Sequence, residues 1–123
     1  IASFLSRQYK EILTAYIFGS FVQFDVFSDI DIGLIVGDEI PNLLEFELTL
    51  EDKIRNLVNY HVDVRVLNNA PIAFSQNVFR TGRVILDKNP NFRADFEGLI
   101  LKKFFDFAPF RRRYLKDVFD ALV

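Results

Sequence analysis

Two carboxylates, Asp29 and Asp31, stand one residue apart at the mouth of an apolar run, Ile32 to Val36. Side chains alternate faces along a strand, so the pair points the same way. Like charges on one face repel and lose solvation unless something positive sits between them. The simplest occupant is a divalent cation with oxygen ligands, and Mg2+ usually takes one or two protein carboxylates together with substrate phosphates. Upstream, a second apolar run, Ala15 to Phe18, ends at Gly19-Ser20. Glycine allows close backbone approach, and free N–H groups at a helix start bind phosphate. Alone, Gly-Ser is an ordinary turn. Its value as a candidate phosphate cradle comes from the Asp-x-Asp downstream, between two apolar runs.

A third carboxylate follows in His61-Val-Asp-Val-Arg-Val-Leu67, which alternates cleanly and reads as a strand. Val62, Val64 and Val66 face one way; His61, Asp63, Arg65 and Leu67 face the other. The residues leave Asp63 two readings: a carboxylate reaching the Asp29–Asp31 site from a neighbouring strand, or an ion-pair partner of Arg65. For Arg65 the ion pair is preferred over a phosphate contact. His61, the only histidine, reads as a structural or surface residue.

The elements that must position these groups follow from periodicity. Residues 2–13 read as an amphipathic packing helix, 14–19 as the first strand, and the residues after Ser20 as a short helix or loop. Residues 30–37 read as a second strand, covered on both faces. The spacing predicts a helix over 42–59, capped by Asn42 with Glu45 three residues on and buried along Leu43, Phe46, Leu50, Ile54, Leu57 and Val58. Pro71 opens a helix that Gly82 closes, and 83–87 form a short strand. Residues 91–123 are helical, with a break expected at Ala108-Pro109. The order α-β-α-β-α-β-α-β-α predicts an α/β fold: a small mixed β-sheet with helices packed mainly on one face and a helical C-terminus.

Composition narrows the function classes. The 123 residues hold 15 basic and 17 acidic side chains, for a net charge of −2. That argues against sequence-independent binding to a long nucleic acid, which needs a basic surface. It does not argue against a nucleotide. Cysteine is absent, which removes thiolate metal sites and Cys nucleophiles and makes a reducing cytoplasm the default. No apolar run approaches the roughly 18 residues of a membrane span. Phe occurs 15 times and is dense in the last third, more than a small sheet layer obviously needs. An exposed aromatic stripe on 91–123, next to Arg111-Arg112-Arg113, would mark a partner-docking element.

Gly19-Ser20 followed by Asp29-x-Asp31 resembles the signature of the DNA polymerase beta-type nucleotidyltransferase superfamily. The wording Phe-Gly-Ser…Ser-Asp-Ile-Asp, with Leu67-Asn-x-Ala-Pro71 and Asp106-Phe-Ala-Pro-Phe110, is similar to its minimal nucleotidyltransferase (MNT) branch, many of whose members pair with HEPN proteins as toxin–antitoxin modules. The resemblance implies one nucleotidyltransferase domain over 1–123. It implies Asp29, Asp31 and Asp63 as catalytic residues and ligands of two Mg2+ ions, with Gly19 and Ser20 on the leaving phosphates. Three carboxylates holding two such ions, about 3.5–4 Å apart, clamp the attacking and leaving oxygens of an in-line displacement. The resemblance further implies ATP as donor, a HEPN toxin as partner and AMP transfer to a tyrosine of it. One stretch departs from the pattern. Residues 21–28, Phe-Val-Gln-Phe-Asp-Val-Phe-Ser, are shorter than the usual MNT loop and carry neither its Arg nor its Gly. The departure supports an alternative: a protein that keeps the fold and neutralises its partner by binding alone. An enzyme acting on a small molecule such as an aminoglycoside would need an acidic acceptor cleft. Self-association is left open.

Overall fold

The computed structural model describes residues 1–19 and 29–122, with backbone alone for 107–115 and 117–122. The short element expected after Ser20, and Ser20 itself, lie outside the described residues. In chain order the elements are α1 (Ala2–Gln8), β1 (Ile12–Phe18), β2 (Asp29–Val36), α2 (Leu43–Val58), β3 (His61–Val66), α3 (Ile72–Thr81), β4 (Arg83–Asp87) and α4 (Pro90–Leu122). The strands form one mixed sheet in the order β3-β2-β1-β4. β1 pairs antiparallel with β2 and β4, while β2 and β3 are parallel. No described helix is long and apolar enough to cross a membrane.

The main core lies on one face of the sheet. Ala15, Ile30, Ile32, Leu34, Val62, Val64 and Val66 meet Leu5 of α1 and Leu50 and Ile54 of α2. A smaller cluster gathers Tyr16, Ile35, Leu67 and Val78, walled by Phe18, Phe74, Phe79, Phe92 and Phe96. The alternation of each strand sets this division. Tyr16 and Ala15 are neighbours in sequence and belong to different clusters.

α2 starts as its sequence directs. The Asn42 side chain accepts from the Glu45 N–H at 3.1 Å, and its amide donates to the Glu45 carboxylate at 3.1 Å. At the last turn Val58 packs against the core while Leu57 is exposed, since Val58 continues the i, i+4 line of Leu50 and Ile54. Two other boundaries differ from expectation. α1 ends at Gln8, and Ile12 and Leu13 enter β1, because sheet pairing outweighs a helical spacing that only two apolar residues extended. α4 runs unbroken through Ala108 and Pro109. A proline costs one backbone hydrogen bond and disfavours helix before it, but helix-forming sequence on both sides carries the chain through.

α4 is tied to the sheet near its start. Arg93 donates to Asp87 of β4 at 2.8 Å and reaches Glu97 at 3.4 Å. The buried Tyr16 hydroxyl donates to Glu97. Burial, and then the Glu97 carboxylate, push the Tyr16 phenol well above its ordinary range. Phe92 and Phe96 pack on the smaller cluster, and Ile100 is buried. Beyond them Leu101 to Asp106 are exposed except for half-buried Phe104.

The edge strand β3 is covered by α2. Glu47 accepts the Val66 N–H and Glu51 the Val64 N–H, both at 2.8 Å, and Arg55 donates to the Val62 carbonyl at 3.1 Å. These side chains, four residues apart on one helix face, satisfy groups that would otherwise template another strand. Replacing both carboxylates, Glu47→Ala with Glu51→Ala, should cost about 2–4 kcal/mol in chemical denaturation. It should also raise concentration-dependent association in sedimentation.

Candidate active site

β2 and β3 are parallel, so both present their first residues at the same edge of the sheet. Asp31 pairs with Asp63, and Asp29 with His61. β1 runs the other way and ends at this edge, with Phe18 opposite Asp31. Three elements distant in sequence therefore deliver Gly19, Asp29, Asp31 and Asp63 to one place.

Gly19 has φ +78°, and a Cβ there would run into the Asp31 carboxylate. Two separate demands thus fall on one glycine: a left-handed backbone and the absence of a side chain. Asp31 is the most crowded carboxylate. Burial, then Asp63, then Asp29 raise its pKa above the ordinary value, with a hydrogen bond between the Asp31 and Asp63 carboxyls adding to the effect. The Asp29 and Asp63 side chains are each about half exposed.

His61 stands between the outer two. Its Nδ1 lies 3.2 Å from Asp29 and 3.9 Å from Asp63. Arg55 approaches its Nε2 at 3.3 Å. A guanidinium only donates, so Nε2 accepts and the Nδ1 proton turns to Asp29. The single histidine is therefore part of the carboxylate group rather than an isolated surface residue. Arg65 also departs from expectation. Among the described residues it forms no ion pair with Asp63. Its guanidinium lies over Phe74 of α3, 5.1 Å from the ring centroid. The aromatic stack was invisible to periodicity because Phe74 arrives from another element.

Asp31, Asp63, Phe18, Phe74 and Arg65 line a cavity of about 430 Å3. Among the described residues no group of three His, Cys, Asp or Glu side chains is placed to hold a metal ion as it stands. What the edge offers is three hard oxygen donors on two adjacent strands, one of them a carboxyl whose pKa is raised by burial and then by its neighbours.

A family model described as polymerase beta, nucleotidyltransferase matches residues 1–91, a span that contains all of these groups except α4. No curated protein sequence matches the chain. Several solved structures share the fold. A mutant of the toxin–antitoxin MntA–HpeT is 22% identical with a TM-score of 0.81, the match covering 95% of this chain and 93% of that one. A toxin–antitoxin with AMP-PNP is 22% identical at 0.81, covering 95% and 94%. The MNT antitoxin complex of a tri-AMPylated Shewanella oneidensis HEPN toxin gives 21% and 0.77, covering 95% and 91%.

Two consequences are measurable. Gly19→Ala should destabilise the chain by about 1–2 kcal/mol from its backbone conformation alone, and should also displace Asp31. Because folding raises the Asp31 pKa, the ionised carboxylate opposes folding at neutral pH, and that deficit disappears as pH falls through the folded-state value. Asp31→Asn should therefore melt a few degrees higher than the wild type at pH 7. The gap should narrow as pH falls and close below about 4, where the carboxyl becomes protonated in the unfolded state as well.

Proposed function

The chain belongs to the polymerase beta nucleotidyltransferase family, and from that premise we propose that it transfers AMP from ATP to a hydroxyl of a protein partner. The partner is a HEPN-type toxin, and this chain acts as its antitoxin. The observation that carries the reading is the convergence of Gly19, Asp29, Asp31 and Asp63 at one sheet edge. A relative of the same fold bound to AMP-PNP, and another whose toxin is tri-AMPylated, support the donor and the partner.

Asp29, Asp31 and Asp63 would hold Mg2+, two ions in the full site, and the donor set suits it: hard oxygens, crowded enough that burial, Asp63 and Asp29 raise the Asp31 pKa. Bound there, the metal would neutralise the triphosphate and acidify the acceptor hydroxyl. The chain's own groups do the rest. Gly19 lets the backbone approach the distal phosphates, with Ser20 beside it in sequence. Asp63, at the β3 side, takes the proton of the acceptor hydroxyl. His61 orients Asp29 through its Nδ1 proton. Exposed Leu99, Leu101 and Phe105 on α4 support this helix as the partner-facing element of a single domain.

A second reading, neutralisation by binding alone, is favoured by one observation: residues 21–28 contain no basic residue and no glycine. Calorimetric titration with ATP, with and without Mg2+, separates the two. The transfer reading expects roughly micromolar, metal-dependent binding that Asp29→Ala and Asp31→Ala abolish while circular dichroism stays unchanged. A well-folded wild type that binds no ATP would move the assignment to the second reading.

A further inference from the structure

α4 carries two stripes. Along one, Phe92 and Phe96 pack on the smaller cluster and Ile100 is buried. Along the other, Ala94, Gly98, Leu101 and Phe105 follow at steps of four, three and four residues, the spacing of a seam between two helices. All four are exposed, Leu101 at 39% and Phe105 at 62%. A space of about 360 Å3 opens beside this second stripe, lined by Phe79 and Arg80 of α3 with Ala94, Gly98 and Leu101.

The packing of one chain gives no reason for Gly98. Only proline is worse than glycine in a helix interior, and a Cβ at Gly98 would meet nothing within 4 Å. A close approach from outside the chain does give a reason. The order of sizes then says what approaches. The stripe is small in its first half, at Ala94 and Gly98, and large in its second, at Leu101 and Phe105. Two copies set antiparallel about a twofold axis place Leu101 of each against Gly98 of the other, and Phe105 against Ala94. A parallel pair would instead lay Phe105 on Phe105 and leave Gly98 on Gly98.

Charge obeys the same symmetry. Asp95 and Lys102 are both exposed. Each follows a residue of the stripe, so both flank it on one side. The antiparallel pair brings Asp95 of each copy to Lys102 of the other, and the axis repeats the contact. The stripe is therefore complementary to itself in size and in charge, and in one orientation only.

We propose that the free chain forms a twofold dimer through this stripe, with the two α4 helices antiparallel and the axis between Gly98 and Leu101. The pairing uses no residue of the carboxylate edge and stands apart from the transfer reading. Leu99, exposed but off the stripe, stays open to a different partner.

The test is sedimentation equilibrium of the whole chain across a concentration series. The wild type should pass from monomer to dimer in roughly the micromolar range. Gly98→Leu puts a side chain where Leu101 of the second copy must sit. It should keep the wild-type circular dichroism spectrum, since it adds helix propensity at an open position, and weaken the dimer at least ~10-fold. Asp95→Lys or Lys102→Glu alone sets like charges together at two places and should weaken it by about 5-fold. The double swap, Asp95→Lys with Lys102→Glu, should restore wild-type association. The chain has no cysteine, so Asp95→Cys mixed with Lys102→Cys should form an oxidised cross-link that neither variant forms by itself. A wild type still monomeric at about 0.5 mM would overturn the pairing. A dimer indifferent to Gly98→Leu would also overturn it. So would a charge swap that fails to restore association, which would exclude the antiparallel register.

Discussion

The parallel pairing of β2 with β3 is the constraint on which the rest depends. It places Asp31 directly opposite Asp63 and Asp29 opposite His61, and strands about 4.8 Å apart bring the two carboxylates of the first pair together. A sheet optimised only for stability would not put two carboxylates there. The fold carries the strain through its surroundings. The Val-rich face beneath is fully buried, α2 braces β3 from outside, and the Asn68 amide exchanges two hydrogen bonds, at 2.9 and 2.8 Å, with the backbone of Val36 at the far end of the same strand pair. Register is locked at both ends, so the repulsion cannot relax by slippage.

Much of this was legible in the sequence because it rests on local signals. Clean alternation placed β3, the Asp-x-Asp at the mouth of an apolar run placed β2, and Asn42 with Glu45 placed the start of α2. That the three carboxylates share an edge followed only once a family resemblance supplied the pairing. The boundaries that differed are those where local signals compete. Ile12 and Leu13 satisfy a helical and a strand period alike, and Pro109 disfavours a helix that its neighbours favour. The contacts that Arg65 and His61 make were not legible for another reason. Their partners, Phe74 and Asp29, are neighbours only in the folded chain, and no spacing rule reaches them.

The two faces of the sheet do different jobs. The aliphatic face, with α1 and α2, supplies most of the buried side chains. The other face is aromatic and polar. Phe79 makes ring contacts with both Tyr16 and Phe96, Phe18 and Phe74 form a separate pair, and the same layer reaches from the carboxylate edge to the base of α4. The abundance of phenylalanine thus has a structural use on this face before any partner is considered.

The length of α4 has a mechanical side. At 33 residues it is a rod of about 50 Å, fastened near one end by Arg93, Glu97, Phe92 and Phe96. A load applied to its distal turns acts through a long lever arm, with the fulcrum at the hydrogen bond between Glu97 and Tyr16. Tyr16 sits on the strand that ends in Gly19. The anchorage of the rod and the backbone turn that lies against Asp31 therefore share one short strand.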